Sequence, residues 1–316
     1  MQALVTGGAG FLGSHLTARL LAAGHRVTVV DDLSTGRREW VHSDAEFVEG
    51  SLTAGPVLRE VFEDSYDVVF HLACRSAVND ADPRGQFREN TDMTASLVAA
   101  VLEAGVPELV FASSSTVYGD APRPTPESYA PLEPISAYGV SKHACEAMLS
   151  TVAHAHDLTV SVCRFANVVG PRLRDAVIPD FIEKLRADPE TLRILGNGQQ
   201  EKSYIHVEDC IDAMLCVYDH ASGPVATYNI GTHTTTSVTH IADIVAEELG
   251  LSPEYEYTGG TRGWSGDIPE MCLAIEKVAG LGWEPALESD AAVRLATREL
   301  LAEMDGSSRL SNPTLV

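Results

Sequence analysis

By residue 13 the backbone is already committed to an extended run, a tight turn and the start of a helix. Leu4-Val5-Thr6 is β-branched and aliphatic, glycines stand at Gly7, Gly10 and Gly13, and an apolar helical pattern (Phe11, Leu12, Leu16, Leu20, Leu21) takes over. Such a turn lets backbone N–H groups and the positive end of a helix dipole face an anion, and glycines without Cβ atoms let a pyrophosphate approach closely. Glycines also serve ordinary turns and close helix packing, so the pattern needs context. Gly24 ends the helix, a second buried strand runs Arg26-Val27-Thr28-Val29-Val30, and it delivers Asp31-Asp32. A carboxylate at a strand tip about 20 residues past the glycine turn can accept both hydroxyls of an adenosine ribose. Asp31 would repel a 2′-phosphate, and no arginine follows before Arg37 and Arg38. The expected ligand is a dinucleotide, NAD in preference to NADP.

Strands and helices then alternate. Residues 46–49, 67–73, 106–113 and 158–165 read as strands, with helices over about 57–62, 86–104 and 138–156. The strands are continuous apolar runs, the pattern of a parallel sheet covered by helices on both faces. That is a doubly wound α/β fold. Residues 120–134 carry Pro122, Pro124, Pro126, Pro131 and Pro134, too rigid and donor-poor for sheet or helix, and a loop of that length beside strand ends is more often functional than idle. Past Asn167 the alternation becomes irregular, with short elements near 178–186, 191–195, 203–207 and 226–230 and helices near 238–249 and 290–304. The expected division is a Rossmann domain over 1–166 with a return segment near 204–233, a smaller α/β substrate-binding lid over 167–203 and 234–304, and a polar, disordered tail over 305–316.

The 316 residues, 45% of them hydrophobic, can fill one large core or two domains that share a cleft. No apolar run reaches the ~18 residues that suggest a membrane span, and no basic, cleavable leader precedes the first strand, so a cytoplasmic protein is expected. Six cysteines (Cys74, Cys145, Cys163, Cys210, Cys216, Cys272) show no metal-type C-x-x-C spacing and read as reduced core thiols, with no metal site. Acidic residues number 45 against 22 basic ones, a formal net charge of −23, and only Lys142, Lys184, Lys202 and Lys277 are lysines. Such a surface repels nucleic acid and anionic membranes, whose binding needs clustered Lys and Arg. Self-repulsion of this size weakens a compact state at low ionic strength and is screened by salt. Adaptation to a very salty cytoplasm is the expected reason.

Tyr138-Gly139-Val140-Ser141-Lys142 places a phenol and an ammonium four apart on one helix face. A free tyrosine ionises near ~10 and is a poor base at neutral pH, but an adjacent cation favours its phenolate. Ser114, at the end of the preceding strand, can bond the reacting oxygen. With these residues in place the chain resembles the extended short-chain dehydrogenase/reductases that act on nucleotide sugars. The resemblance runs through Gly7-x-x-Gly10-x-x-Gly13, Asp31, His71-Leu72-Ala73, Asn90, the run from Ser113 to Gly119, Tyr138-x-x-x-Lys142, the run from Arg164 to Pro171, the run from Tyr204 to Asp209, and Gly266-Asp267-Ile268-Pro269. It implies that Tyr138 is the base, that Lys142 also holds the nicotinamide ribose, and that Ser114 shares the proton. It further implies NAD contacts from Gly7, Gly10, Phe11, Leu12, Gly13, Asp31, Asp32, Ser34, Thr35, Gly36, Leu52, Leu72, Ala73, Asn90 and Ala166. Substrate contacts are implied for Ser114, Asn167, Val177, Arg193, Lys202, Arg262 and Asp267. A homodimer built on the helices near 86–104 and 138–156 is implied as well.

Within the family, dehydratases carry Asp-Glu where this chain has Ser115-Thr116, and decarboxylases typically keep a Glu at the second position. Thr116 has no proton to give at neutral pH, so both lyase readings lose support. What remains needs only hydride transfer and one acid/base group, which is C4 epimerisation, and the resemblance implies a UDP-sugar of the glucose/galactose type as substrate. UDP-glucuronate or another UDP-sugar is the alternative substrate, with Arg193 or Lys202 available to a carboxylate. A net nucleotide-sugar reductase or dehydrogenase, and a non-catalytic dinucleotide sensor, are the readings from other classes. A sensor would lack the Tyr or the Lys. Lys202 stands where related epimerases often have Arg, and Arg262 lies five residues before Asp267 instead of three, so a surface salt bridge is a fair alternative role for each. Ser51 replaces the usual Asp at the adenine edge. Met271 matches a residue beside the sugar and decides nothing about it, and His71 and His206 read as structural histidines within strands.

Overall fold

The structure is a computed structural model, and it describes residues 1–77, 80–264 and 266–306. The elements in chain order are β1 (Gln2–Thr6), α1 (Phe11–Ala22), β2 (Arg26–Asp31), β3 (Glu46–Glu49), α2 (Gly55–Val61), β4 (Val68–His71), α3 (Pro83–Ala104), β5 (Glu108–Ser114), α4 (Ala137–Ala155), β6 (Thr159–Phe165) and β7 (Asn167–Val169). They continue with α5 (Val177–Ala187), β8 (Thr191–Ile194), β9 (Glu201–Lys202), β10 (Tyr204–His206), α6 (Val207–His220), β11 (Val225–Ile230), β12 (Thr236–Ser237), α7 (Val238–Leu249), β13 (Glu254–Tyr257), β14 (Glu270–Met271), α8 (Glu276–Ala279) and α9 (Ser289–Met304).

Seven strands form one parallel sheet in the order β11-β6-β5-β4-β1-β2-β3. The apolar strands expected from the sequence bury side chains on both faces. On one face Ala3, Val5, Val29, Phe70 and Val110 pack with Leu16 and Leu20 of α1 and with Ile211 and Met214 of α6. On the other, Leu4, Val30, Val69, Leu109 and Phe111 pack with Leu58 of α2, Leu97 and Val101 of α3, and Leu149 of α4. Strand order reverses between β1 and β4, and the carboxyl ends of the strands at such a reversal are where sheets of this kind hold ligands.

A third cluster joins α5, α7, α9 and β8 through Ile178, Ile182, Leu192, Ile241, Val245, Val293 and Leu300. Ile268, Met271, Leu273, Ile275 and Val278 belong instead to the cluster on the first face of the sheet. The sequence reading placed no helix between 207 and 220, where the structure has α6. Its stripe Cys210, Ala213, Met214, Val217 has the helical spacing i, i+3, i+4, i+7 and is fully buried. His206, expected within a strand, ends β10 and caps this helix by accepting from the Glu208 N–H. Of the tail expected over 305–316, residues 307–316 lie outside the described residues. Among the described residues no helix is long and apolar enough to cross a membrane, and no cluster of His, Cys, Asp or Glu could hold a metal. The cysteines are free thiols, with Cys74, Cys216 and Cys272 only half-buried where core positions were expected.

Candidate active site

The glycine turn is built as its sequence requires. Gly7 has φ +71°, and a Cβ on it would stand 2.6 Å from the backbone N of Ala73; one on Gly13 would meet the Cα of Gly8 at 2.7 Å. The turn is thus packed against the start of α1 and the loop after β4, with no room for side chains. Helix α1 starts at Gly10 with no side-chain cap and no acidic residue in its first turn, so the N–H groups around Phe11 and Leu12 keep their partial positive charge for an outside anion. At the tip of β2, Asp31 accepts from the N–H of Ala9 (3.0 Å) and of Leu33 (2.8 Å). Burial raises its pKa and these two bonds resist the rise. Each carboxylate oxygen keeps lone pairs for a diol. Asp32 is exposed and turns back to the N–H of Ser34 (2.9 Å). Ser34 and Thr35 are exposed, and a Cβ on Gly36 would come within 2.8 Å of Asp31, so this loop closes directly over the carboxylate. A nucleotide diphosphate flanked by an adenosine fits these groups.

Beyond β4 the chain runs through Leu72 and Ala73, whose N–H groups both donate to Thr6 Oγ1 (3.2 Å each). His71 stands between Thr6 Oγ1 (2.8 Å) and Thr94 Oγ1 (3.0 Å), and burial holds its pKa down at about 3, so it is a neutral structural imidazole as expected. Asn90, expected to line the NAD site, is anchored within the protein. Its Oδ1 accepts from the Arg75 N–H (2.8 Å), and its Nδ2 donates to the Arg75 carbonyl (3.1 Å) and to Ser141 Oγ (2.9 Å), so its amide pins the loop after β4 to α4. Leu52 and Ala166 are buried at the ends of their segments.

Ser114 ends β5, directly across from Phe165 of β6. Its Oγ accepts from the Thr116 N–H (3.2 Å) and from Thr116 Oγ1 (3.0 Å), which leaves its own proton free to donate. Thr116 therefore orients the serine, a role the sequence did not reveal. Tyr138 and Lys142 lie one turn apart on α4. Lys142 is buried, donates to the Ala112 carbonyl (2.6 Å), and sits 4.7 Å from the centre of the Phe111 ring and 5.8 Å from that of Tyr138. Burial opposes its charge, but Cys74 and Tyr138 outweigh it and keep the ammonium protonated. The phenol differs from expectation. Burial pushes Tyr138 up to about 12, and Lys142 and Ser114, which pull it down, recover only part of that. In the chain by itself one cation does not make this tyrosine acidic.

Glu146 continues the face by one more turn. Its carboxylate accepts from Ser113 Oγ (2.5 Å) and from Arg164 at Nε (2.9 Å) and Nη2 (2.6 Å), and Arg164 Nη1 donates to the Tyr118 hydroxyl (2.8 Å). All four groups are buried. The spacing 138, 142, 146 carried the signal for this anchor.

The expected substrate residues divide. Asn167 opens β7 half-buried next to Ser203, and Val177 opens α5. Asp267 is buried and accepts from Lys202 Nζ (2.6 Å) and the Gly263 N–H (2.9 Å). Lys202, 5.3 Å from the centre of the Trp264 ring, is thus engaged within the protein. Arg262 donates to the Asp267 carbonyl and pairs with Asp120 (2.5 Å). The salt bridges considered for these two cations are present. Arg193 is exposed on β8, in the third cluster's part of the fold.

A parallel sheet with this strand order, a glycine turn closed by the Asp31 carboxylate, and a Ser/Tyr/Lys group at the strand ends define an extended short-chain dehydrogenase/reductase. The chain belongs to the NAD dependent epimerase/dehydratase family, whose model matches residues 3–231, and its cofactor is NAD. Over 302 residues it is 36% identical to the UDP-glucose 4-epimerase of Mycolicibacterium smegmatis, a match spanning 90% of this chain and 94% of that one. A solved UDP-galactose 4-epimerase superposes with a TM-score of 0.87 at 41% identity, covering 96% of this chain and all (100%) of the other. The Thermotoga maritima UDP-glucose 4-epimerase, determined with UDP-glucose, does so with a TM-score of 0.88 at 31% identity and the same coverage.

Proposed function

We propose that the chain is an NAD-dependent UDP-sugar 4-epimerase that interconverts the UDP-glucose and UDP-galactose configurations. The observation that carries this reading is the inventory of proton-moving groups at the crevice. Tyr138, with Ser114 and Lys142 beside it, is one acid/base centre, and Thr116, where a second acid would be needed for a lyase, is spent on orienting Ser114. NAD⁺ held along the glycine turn would supply a positive charge and a reversible acceptor for the C4 hydrogen. That second charge offsets the burial that holds Tyr138 near 12. Tyr138, as a phenolate stabilised by Lys142, takes the O4 proton directly or through Ser114 and becomes the phenol, while the C4 hydrogen leaves with its electron pair. The resulting C4 ketone turns within the cleft, and Tyr138 returns the proton to the oxygen as the hydrogen is delivered to the opposite face. No net oxidation results, and the cofactor stays through turnover.

Tyr138, Ser114 and Lys142 are assigned as catalytic. The glycine turn, Asp31 to Gly36, Leu52, Leu72, Ala73, Asn90 and Ala166 hold the cofactor, and the Asn90 amide also pins the loop after β4 to α4. Residues 1–166 with the return segment serve as the cofactor-binding domain, and the α5, α7 and α9 cluster serves as the substrate lid. The ion pairs of Lys202 and the exposure of Arg193 favour a neutral hexose over a uronate. Tyr138→Phe tests the assignment: with UDP-glucose or UDP-galactose as substrate, product formation should fall by ~10²–10⁴-fold or more with an unchanged thermal midpoint. Near-normal turnover overturns it, and bulk appearance of NADH in the wild type favours the net dehydrogenase. We further propose a homodimer in the cytoplasm through α3 and α4, which expose Phe87 and Val140. Light scattering in molar salt should give twice the chain mass; a monomer contradicts the dimer.

A further inference from the structure

The loop that closes over the adenosine end of the crevice is fastened at its far end by a residue from the second half of the chain. After Asp31 the loop passes Leu33, in the left-handed region at φ 58°, returns to the glycine turn where the Arg37 N–H donates to the Ala9 carbonyl (2.9 Å), and ends in the short turn Arg38–Trp40. An open pocket of about 220 Å³ lies between Ser14 and Ala18 of α1, Glu39 to Ser43 of the loop, and Arg172. Trp40 is held by cations. Arg37, from the loop itself, lies 5.3 Å from the centre of its ring, and Arg174, from the segment between β7 and α5, lies 5.4 Å from it. Arg174 in turn donates to the Glu303 carboxylate of α9 (2.7 Å), whose other oxygen accepts from the Arg172 N–H (2.8 Å). The segment carrying Arg174 contains two non-glycine residues with positive φ, Arg172 at 69° and Asp175 at 50°. Backbone held in that region needs surroundings that enforce it.

We propose that Trp40, Arg174 and Glu303 form a clasp that keeps the NAD loop shut, so that dinucleotide release requires Trp40 to leave Arg174. They are positioning residues: they act on the cofactor through residues 32–36, and none belongs to the catalytic group. The inference rests on the crevice being the NAD site. Asp32, Ser34, Thr35 and residues 37–39 of the loop are exposed, so the cation on the Trp40 face contributes to how often it opens.

The test measures NAD release from the loaded full-length protein, with free NAD⁺ trapped by an added alcohol dehydrogenase and ethanol. Trp40→Leu and Arg174→Gln should each release NAD about two- to fivefold faster, the scale of one partly exposed cation–aromatic contact, at an unchanged stoichiometry under saturating NAD. Trp40→Phe, which keeps a ring for Arg174, should restore slow release, a rescue that a general loss of structure would not give. Release at the wild-type rate in both Trp40→Leu and Arg174→Gln overturns the clasp, as does fast release that Trp40→Phe fails to correct while its melting midpoint stays normal. Asp31→Ala separates the two levels of inference: it should abolish stoichiometric binding, and full binding by that variant overturns the site itself and the clasp with it.

Discussion

At Tyr138 two physical effects oppose each other, and the larger is the one that spacing does not display. The four-residue interval to Lys142 announces a cation near the phenol, and that cation is there. Desolvation depends on how the loop after β4 and the end of β5 close around the side chain, which is a property of the fold, and it takes the phenol to about 12. With Tyr138 as the proposed base, its phenolate is the reactive form, and the rate should rise with pH as the phenol ionises. Lys142→Met removes the charge that resists desolvation and should move this rise to higher pH, with a rate at neutral pH lower by ~10²-fold or more. A pH–rate profile superposing on that of the wild type would show that Lys142 does not govern the base. The same limit explains the cations of the lid. Lys202 and Arg262 are visible in the sequence, but Asp267 and Asp120, which take up their charge, stand 65 and 142 residues away in the chain.

Element by element, the first half was readable because local signals agreed with one another: apolar strands, glycine or proline at their ends, and carboxylates at the strand tips. The second half was harder, since β9, β12 and β14 are two-residue strands whose pairing is set by tertiary contact. Helix α6 was missed for another reason. Its opening Val207-Glu208-Asp209 belongs to a recognisable sequence signature, and the apolar stripe behind it went unread. Helix α4 shows the opposite case, an element whose function exceeds its pattern. Glu146 ties it to β5 through Ser113 and to β6 through Arg164, both buried. Glu146→Ala leaves Arg164 charged and unpaired in the core and should cost about 3–5 kcal/mol in urea denaturation. Glu146→Gln, which keeps part of the hydrogen bonding, should cost less. Equal and small losses in both variants would mean that the pair does not anchor the helix.

For the molecule as a whole, a formal charge of −23 on 316 residues means that folding gathers like charges. Ion pairs such as Arg19–Glu208 and Arg294–Glu247 absorb a little of this, and exposed pairs of that kind contribute only about 0–1 kcal/mol each. Raising KCl from about 0.1 M to 1 M shortens the screening length from ~10 Å to ~3 Å and should raise the thermal midpoint. A flat or falling midpoint would remove the proposed adaptation to salt. Charge balance was fully legible in composition, because it needs no knowledge of the fold, and so was the sheet, because its strands are buried on both faces.

One arrangement carries a consequence for how such a chain can change. The proposed base and its cation ride together on α4, whereas Ser114 and Thr116, which set the proposed number of proton-moving groups, sit on the neighbouring segment at the end of β5. Repertoire and engine thus occupy separate pieces of polypeptide. Substitutions at two or three neighbouring positions on the strand side would alter the proposed proton inventory while leaving Tyr138 and Lys142 on their helix untouched.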